Sequence, residues 1–383
     1  MEKKLRYGLI GAGSNAEKKH LAGYSALPHL ELVAVCDVNR EQAEKVAAKY
    51  QIDQVYTSYT EMLDRVQLDL VSVCTPNLFH ADISIYALNH GVHVHCEKPL
   101  AVSFAESQKI LDAKRKSGKK LMIGLNNRMT NEAVFIKQYI DTGSLGEIYQ
   151  AKAGWRRRSG IPGRGTWFTN KQLSGGGVMI DLGVHYLDLV LYLMGNPEPS
   201  YIAGSMHRTY DHTNSRNRNG YKGNPNGIFD VEDSAAGYLQ LKNGCAVSFD
   251  FSWASNIEKD TAFIELIGSN GGISLVDGRL KVFSEQLGTC VDIVPQQNPN
   301  VKLLNEFEHF TSCILSGKEP LAPPEHGVYM MNIIDQFYRS ASQNQPVLFS
   351  ERNDLQPPST ISRSPTLMKP EGGAHLDATA FLL

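Results

Sequence analysis

Residues 5–16 read LRYGLIGAGSNA, an apolar run that ends in the pattern GxGxxA and leads into an amphipathic segment. This order predicts a β-strand, a tight turn and the start of a helix. In such a turn, Gly11 permits the sharp bend, Gly13 lets the backbone approach a pyrophosphate, and Ala16 allows close helix packing. The helix N-terminus favours an anion. A glycine-rich turn without a ligand is the alternative, but the strand-to-helix context favours dinucleotide binding.

The alternation of apolar runs and amphipathic stretches continues from this turn to about residue 124. The runs include ELVAVCD, LDLVSVCTP, VHVHCEKP and KLMIGLN. Buried runs between helices predict a parallel sheet covered on both faces, with ligands at the carboxyl ends of its strands. We therefore expect an α/β Rossmann domain, a doubly wound parallel sheet, over residues 1–125. Its predicted helices cover residues 15–26, 40–50, 79–89 and 104–117.

The pattern changes after residue 126. Segments of alternating polarity, among them IYQAKAGWRRR, YIAGSMH, AAGYLQLK and AFIELIG, are separated by turns and predict an open, mainly antiparallel sheet. An α+β domain for substrate binding and oligomerisation is expected over residues 126–350. The polar segment 208–230 is expected to be a functional loop or partly disordered, and 351–383 an extended tail. Helices are predicted at residues 131–142, 179–194, 303–315 and 324–342.

Composition excludes several classes of partner. The 383 residues carry a formal net charge of -2, which gives no field to collect nucleic acid. No run reaches the roughly 18 to 20 apolar residues of a membrane span, and the start is charged, so we expect a cytoplasmic protein. The six cysteines form no CxxC pair. His93 and His95 offer only a same-face pair on a strand, so no metal is expected.

Asp37 closes the second predicted strand. An acidic side chain there accepts hydrogen bonds from the adenosine ribose hydroxyls and repels a 2′-phosphate, which favours NAD over NADP. Arg40 lies close enough to accommodate such a phosphate, so NADP stays possible. As an alternative or an additional role, Asp37 would cap the helix that begins near Arg40.

Two further strands end in polar residues, CTPN at 74–77 and CEKP at 96–99. Both segments would lie at the cofactor edge of the sheet. Lys98 would then lie near the nicotinamide, where a cation can orient a substrate hydroxyl by hydrogen bonding. A solvated lysine at a strand end is the simpler alternative.

The segment GGGVMIDLGVHYLD at 175–188 places Asp181 and His185 four residues apart. On a helix this spacing puts both side chains on one face. With a reference pKa of about 6.5, a histidine is largely neutral at working pH and is a better proton acceptor than a lysine near 10.4. The carboxylate would orient the histidine or bind another hydroxyl. A buried Asp/His pair without chemistry is the alternative.

Together, GxGxxA, Asp37, TPN with His80, EKP and the DxGxH segment resemble the glucose-fructose oxidoreductase and inositol dehydrogenase family, called Gfo/Idh/MocA, from about residue 5 to 350. The resemblance implies a Rossmann domain followed by an open-faced α+β domain. It also implies a cis Lys98-Pro99 bond. The catalytic residues that it implies are Lys98, Asp181 and His185.

The same resemblance implies NAD or NADP as cofactor, and Asp37 favours NAD. It places the segment WRRRSGIPGRGTWF at 155–168 along the cleft, with Arg158 and Trp167 near the nicotinamide or substrate, although a solvated basic strand edge is the alternative. Substrate-binding residues are expected to be Arg158, Trp167, Asp181 and His185. Cofactor-binding residues are expected to be Gly11, Gly13, Ser14, Asn15, Ala16, Asp37, Arg40, Thr75, Pro76, Asn77, His80, Glu97 and Lys98.

The leading hypothesis is an NAD(P)-dependent oxidoreductase that moves a hydride between nicotinamide and a secondary alcohol or ketone of a sugar, polyol or cyclitol. One alternative within the family is an NAD-dependent glycosidase-type enzyme with transient oxidation. A second alternative is a non-catalytic dinucleotide-binding sensor. Because an open apolar sheet face is an association surface, we also expect a homodimer or homotetramer.

Overall fold

A computed structural model describes residues 4–213, 215–218, 223–296 and 305–349. The predicted tail at 351–383 and parts of segment 208–230 therefore lie outside the described residues. Two sheets organise the described chain, one of six strands and one of nine. The predicted fold class is confirmed.

The first sheet is parallel throughout and has the order β3-β2-β1-β4-β5-β6. Its strands are β1 (Leu5–Ile10), β2 (Leu30–Cys36), β3 (Gln54–Tyr56), β4 (Leu70–Val73), β5 (His93–Cys96) and β6 (Leu121–Ile123). Its helices are α1 (Ala22–Ser25), α2 (Arg40–Tyr50), α3 (Tyr59–Arg65), α4 (His80–Asn89) and α5 (Phe104–Ser117). Short 3-10 turns lie at Asn77–Phe79 and Asn126–Met129.

Two parts of this half differ from the prediction. β3 and α3 were not predicted, because a strand of three partly buried residues and a two-turn helix leave almost no periodic signal. The helix predicted at 15–26 is a π-helical segment, Ala16–Leu21, followed by the short α1. Single π-helical turns inside helices occur often at functional sites.

The second sheet is mixed and mainly antiparallel, as predicted, with the order β14-β13-β12-β11-β7-β10-β9-β8-β15. Only β7 and β10 pair in parallel among its described strands. Its strands are β7 (Ile148–Arg156), β8 (Pro199–His207), β9 (Ser234–Leu241), β10 (Ala246–Ser252), β11 (Thr261–Gly268), β12 (Gly272–Val276), β13 (Arg279–Gln286), β14 (Thr289–Ile293) and β15 (Val347–Leu348).

The helices of the second half lie partly on one face of this second sheet and partly against the first half. They are α6 (Asn131–Asp141), α7 (Lys171–Ser174), α8 (Val184–Leu193), α9 (Glu306–Ser316) and α10 (Pro324–Gln343), with a 3-10 turn at Trp167–Thr169 and a π-helical segment at Met179–Gly183. The stretch Lys171–Leu193 is long and apolar enough to cross a membrane, yet most of it is buried within the protein. α10 packs against β8 and also against α5 and β6 of the first half.

A buried ion pair fixes α8 in place. Arg128 donates through Nε to Asp188 at 2.8 Å and through Nη1 to the Leu321 carbonyl at 3.0 Å and to His326 Nδ1. Burial, together with the Arg128 charge, holds the pKa of His326 well below its usual range, so its ring accepts this bond. The cluster joins α8 to α10 and to the start of the second half.

Candidate active site

A cavity of about 310 Å³ opens where the carboxyl edge of the parallel sheet faces the second sheet. It gathers most of the predicted catalytic and nicotinamide-side residues, namely Asn15, Thr75, Asn77, His80, Glu97, Lys98, Trp167, Asp181 and His185. Residues that were not among the predicted site residues also line it, among them Lys19, Arg157, Arg218 and Trp253. The convergence follows from the fold, because parallel strands end together at one edge.

The glycine turn after β1 has the shape that a pyrophosphate requires. Gly11 has φ +89°, and a side chain there would meet the Cys74 carbonyl at 2.6 Å. A side chain on Gly13 would meet nothing within 4 Å, so the backbone there faces open space. Ala16 is buried against the core, while Ser14 is exposed beside the turn. These features fit a dinucleotide phosphate group.

Asp37 stands at the end of β2, as predicted. Its carboxylate accepts hydrogen bonds from the Ala12 N–H at 2.7 Å and the Asn39 N–H at 2.8 Å. Asn39, and not Asp37, caps α2 by accepting from the Gln42 N–H, so the suggested capping role was wrong. Arg40 is exposed and pairs with Glu44 at 2.9 Å. In this arrangement a carboxylate, not a guanidinium, lies against the turn.

Glu97 connects the helix after the glycine turn to β5. It lies within 2.9 to 3.2 Å of the Asn15 amide, the Lys19 ammonium and the His20 ring. Burial alone would raise its pKa, but Lys19 and His20 outweigh burial and hold the pKa well below its usual range. Lys19 also pairs with Glu306 at 3.1 Å. Glu97 therefore remains ionised and ties the two segments together.

Thr75, Pro76, Asn77 and His80 shape the loop after β4. The buried His80 ring lies between the Pro99 and Thr75 carbonyl oxygens, at 2.7 and 3.0 Å. Asn77 donates to the Ser174 carbonyl at 2.8 Å, which joins this loop to the second half. The Lys98-Pro99 bond is cis, as the family resemblance implied.

Lys98 and Asp181 form the centre of the cavity. Lys98 Nζ donates to Asp181 Oδ1 at 2.8 Å and to its backbone carbonyl at 3.0 Å. Trp253 Nε1 donates to Asp181 Oδ2 at 2.9 Å. Burial would raise the pKa of Asp181, but Lys98 and Trp253 contribute to lowering it to about 2. The carboxylate is thus ionised and orients Lys98, a contact that was not among the two roles predicted for it, orienting His185 or binding another hydroxyl.

His185 lies beside this pair with its ring against the edge of Trp155. Burial, and then the Lys98 charge, lowers its pKa to about 3. Among the described residues, its buried Nδ1 has no hydrogen-bond partner. Nε2 is therefore the ring nitrogen available to a substrate hydroxyl, and the ring is neutral throughout the physiological range.

Glu232 holds the segment that carries Asp181 and His185. Its carboxylate accepts from the Gly177 and Met179 N–H groups at 3.0 Å and from the Tyr338 hydroxyl at 2.8 Å. A Cβ on Gly177 would lie 1.9 Å from the Glu232 carbonyl oxygen. The glycine run therefore lets a carboxylate hold the N-terminus of this helical segment. No motif or spacing predicted this role for Glu232, because its partners are distant along the chain.

The predicted role of Arg158 is not supported by its position. Its side chain is exposed and donates to the Glu258 carbonyl at 3.0 Å. The preceding Arg157 is buried and lines the cavity instead. Trp167 lines the cavity as expected and stacks on Phe168.

Comparisons with known proteins agree with this architecture. Residues 5–125 match a family described as oxidoreductase family, NAD-binding Rossmann fold, and residues 137–349 match its C-terminal alpha/beta domain. D-glucoside 3-dehydrogenase of Escherichia coli (strain K12) is 32% identical over 339 residues, covering 88% of this chain and 95% of that protein. Glucose-6-phosphate 3-dehydrogenase of Bacillus subtilis (strain 168) is 30% identical over 365 residues, covering 91% and 99%.

Among solved structures, a levoglucosan dehydrogenase in complex with NADH and L-sorbose superposes with a TM-score of 0.80. It is 23% identical and covers 91% of this chain and 99% of that one. At this identity the likeness establishes the shared fold.

Proposed function

We propose that this chain, which belongs to the Gfo/Idh/MocA family of NAD-binding oxidoreductases, oxidises a secondary alcohol of a sugar or polyol to the ketone. The observation that carries the proposal is the Lys98–Asp181 contact at 2.8 Å, formed beside His185 in the cavity at the carboxyl edge of the Rossmann sheet. D-glucoside and glucose 6-phosphate appear in the names of two full-length relatives, which favours a hexose derivative.

When bound, NAD supplies the acceptor for the hydride that leaves the carbinol carbon as its C–H bond breaks. The O–H bond electrons form the second bond of the carbonyl, and the proton passes to His185 Nε2. An ammonium group has three N–H donors. Lys98 directs two of them to Asp181, which leaves the third for the substrate oxygen. In the reverse direction the same groups return the proton as a ketone is reduced.

The cofactor contacts remain part of the proposal. Gly11, Gly13, Ser14, Asn15 and Ala16 would hold the pyrophosphate. Asp37 would favour the ribose hydroxyls of NAD over NADP, with Arg40 as the residue that would argue for NADP. The nicotinamide end would lie against the residues after β4 and β5, which are Thr75, Pro76, Asn77, His80, Glu97 and Lys98.

Assembly and location complete the proposal. The open face of the second sheet leaves the aromatic side chains of Tyr238 and Phe283 exposed. Such a face favours association, so we propose a homodimer or homotetramer joined through this sheet, in the cytoplasm. Light scattering at micromolar concentration would show a monomer if this is wrong.

A panel of hexoses, hexose phosphates, hexuronates, glycosides and cyclitols, each with excess NAD, tests the proposed reaction. We expect absorbance of the reduced cofactor to accumulate in proportion to ketone. Release of a free sugar without such accumulation would instead indicate a glycosidase cycle with transient oxidation. Absence of any turnover across the panel, with NAD bound, would contradict the proposal.

A further inference from the structure

A buried chain of hydrogen bonds runs from the core of the first sheet to Glu97, which lines the cavity. Ser72 Oγ lies 2.9 Å from His20 Nδ1, and His20 Nε2 lies 2.9 Å from Glu97 Oε1. The side chains of Ser72 and His20 are fully buried. Because a carboxylate oxygen accepts, Nε2 carries a hydrogen and donates it to Glu97. The chain of bonds therefore ends on the residue that precedes Lys98.

The order serine, histidine, carboxylate is also that of a nucleophilic triad. In such a triad the serine hydroxyl must reach the substrate. Ser72 lies in β4, an inner strand of the parallel sheet, and it is fully buried. The chain of bonds therefore holds Glu97 in place and does not attack a substrate.

The π-helical segment Ala16–Leu21 brings several donors to Glu97. Asn15 Nδ2, Lys19 Nζ and His20 Nε2 all lie within 2.9 to 3.2 Å of the same oxygen, Oε1. A regular α-helix, with about 3.6 residues per turn, would point His20 away from Asn15. A π-helical turn closes its backbone bonds five residues apart, so Asn15 and His20 share one face. The wider turn thus lets three donors converge on one carboxylate.

The second oxygen of Glu97 faces Lys98. Glu97 Oε2 accepts a hydrogen bond from the Lys98 N–H at 3.2 Å. A Cβ on Gly124, which follows β6, would lie 3.2 Å from the same oxygen, so glycine leaves room for it. One carboxylate thus connects the helical segment after the glycine turn to the backbone of Lys98. This connection bears on rate, because a misplacement of about 1 Å near a reacting group can cost about 100-fold.

Of the three donors to Glu97, His20 is held most firmly. Asn15 is exposed, and Lys19 divides its ammonium between Glu97 and Glu306, at 3.2 and 3.1 Å. The His20 ring is bonded on both nitrogens and packs against His95, with ring centroids 4.7 Å apart. The position of Glu97 therefore depends chiefly on His20.

We propose that His20 is a positioning residue, which acts through Glu97 to fix Lys98 relative to a dinucleotide bound at the glycine turn. This inference rests on the proposed function, because Lys98 needs such alignment if it acts beside the nicotinamide. His20 is buried and acts on geometry alone. Its loss should therefore lower the rate of hydride transfer more than it weakens the binding of either reactant.

Two substitutions separate the two ends of the His20 ring. The amide of His20→Gln reaches as far as Nε2 and keeps a donor for Glu97, whereas the shorter His20→Asn reaches only as far as Nδ1 and Ser72. We expect His20→Asn to lower kcat roughly 10- to 100-fold, with the sugar KM and the NADH Kd changed by less than about threefold. His20→Gln should restore kcat to within about threefold of the wild type. Tyr24→Phe is the matched control, because it removes a neighbouring buried bond to His95 at 2.8 Å and should retain kcat.

Hydrogen exchange at the Lys98 amide gives a readout that needs no substrate. We expect this amide to exchange at least about tenfold faster in His20→Asn, with and without NADH, because the Glu97 oxygen that protects it is displaced. His20→Gln and Tyr24→Phe should exchange as the wild type does. If His20→Asn does not fold, Ser72→Ala removes the bond on the other side of the ring and should speed the same exchange by at least about threefold.

The outcomes separate this inference from the proposed function. Unchanged kcat and unchanged Lys98 exchange in His20→Asn, or in Ser72→Ala in its place, would overturn the inference and leave the proposed function standing. Equal losses in Tyr24→Phe would also overturn it, since they would show that the cluster only packs. Faster exchange in His20→Asn alone, in a protein that binds NADH and oxidises no sugar of the panel, would support the positioning role and contradict the proposed function.

Discussion

Asp181 and Asp188 lie seven residues apart on one helical segment, and each pairs with a cation from elsewhere in the chain. The two pairs differ in whether the cation keeps a hydrogen-bond donor for a ligand. The side chains of Asp188 and Arg128 are 4% and 0% exposed. Arg128 donates hydrogen bonds to Asp188, Leu321 and His326. Asp181 and Lys98 are each 16% exposed, and Lys98 keeps a donor for a ligand. The comparison separates a pair that stabilises the helix from a pair that the helix presents to a cavity.

The largest effect on activity is expected beside the cavity pair, where the proposed proton acceptor His185 lies next to Asp181. His185→Ala should lower kcat by about 10² to 10⁴-fold, the usual effect of losing a general base, while NAD affinity changes little. Steady-state kinetics and cofactor titration measure both. A variant with near-normal kcat would show that His185 is not the acceptor.

The pKa of His185 also decides the pH dependence. At a pKa of about 3 the ring is neutral above roughly pH 5, so protonation should lower kcat/KM for oxidation only as pH falls further. The reference value near 6.5, assumed from the sequence, would have placed this acidic limb near neutrality. A wild-type limb near pH 6.5 that His185→Ala abolishes would contradict the effect of burial and Lys98.

Breaking the buried Arg128–Asp188 pair should lower stability and leave activity largely unchanged. Arg128→Ala leaves Asp188 buried without its partner and should lower the free energy of unfolding by about 3 to 5 kcal/mol. Denaturant unfolding measures this loss, and the folded fraction should retain most of its kcat. If Arg128→Ala leaves stability intact, the contrast between the two pairs fails. Arg40→Ala, which removes an exposed pair with Glu44, is the matched control and should cost little.

Glu232 holds the segment that carries Asp181, so its substitution should lower kcat less than the loss of His185 does. Glu232→Gln replaces an acceptor oxygen with an amide donor opposite the Gly177 and Met179 N–H groups. A displaced Asp181 should lower kcat by about 10- to 100-fold with a smaller change in KM. Tyr338→Phe removes one donor to the same carboxylate and should have a smaller effect. Equal loss of kcat and folded protein would indicate a purely structural role.

The smallest expected effect concerns the cofactor. Asp37→Ser should narrow the preference for NAD over NADP by roughly tenfold, since it removes a charged acceptor and a source of repulsion. The measurement is kcat/KM for both cofactors. A wild-type preference for NADP of tenfold or more would overturn the interpretation of Asp37 and favour Arg40.

Some of the site was predictable because its residues follow strands or share a helical face. Lys98 was predicted at the cofactor edge because it follows an apolar strand, β5. Asp181 and His185 were predicted to act together because they lie four residues apart. Arg157 could not be distinguished from Arg158, because β7 ends at Arg156 and the chain beyond it has no regular alternation. Arg218 lies in a polar segment without periodicity, and Glu232 acts through partners more than fifty residues away.

In the fold, long apolar runs were found, whereas the short β3, α3 and β14 were missed. β14 is almost wholly exposed and pairs only at the sheet edge, so it lacks the alternation that marks a half-buried strand. β14 is a strand because it pairs with β13, and this pairing leaves no pattern in the local sequence. The same limit applies to the Lys98–Asp181 contact, because Lys98 follows a strand of the first sheet and Asp181 lies on a helical segment of the second half.

Transfer of deuterium tests the central claim that Lys98 serves hydride transfer from a sugar carbon. A sugar accepted in the panel is prepared with deuterium on its carbinol carbons, and the reduced cofactor is analysed by mass spectrometry. We predict that the wild-type protein moves one deuterium to NAD, and that Lys98→Ala, with NAD still bound, does so at least about 100-fold more slowly. Reduced cofactor without the label, or equal rates in both proteins, would contradict the account.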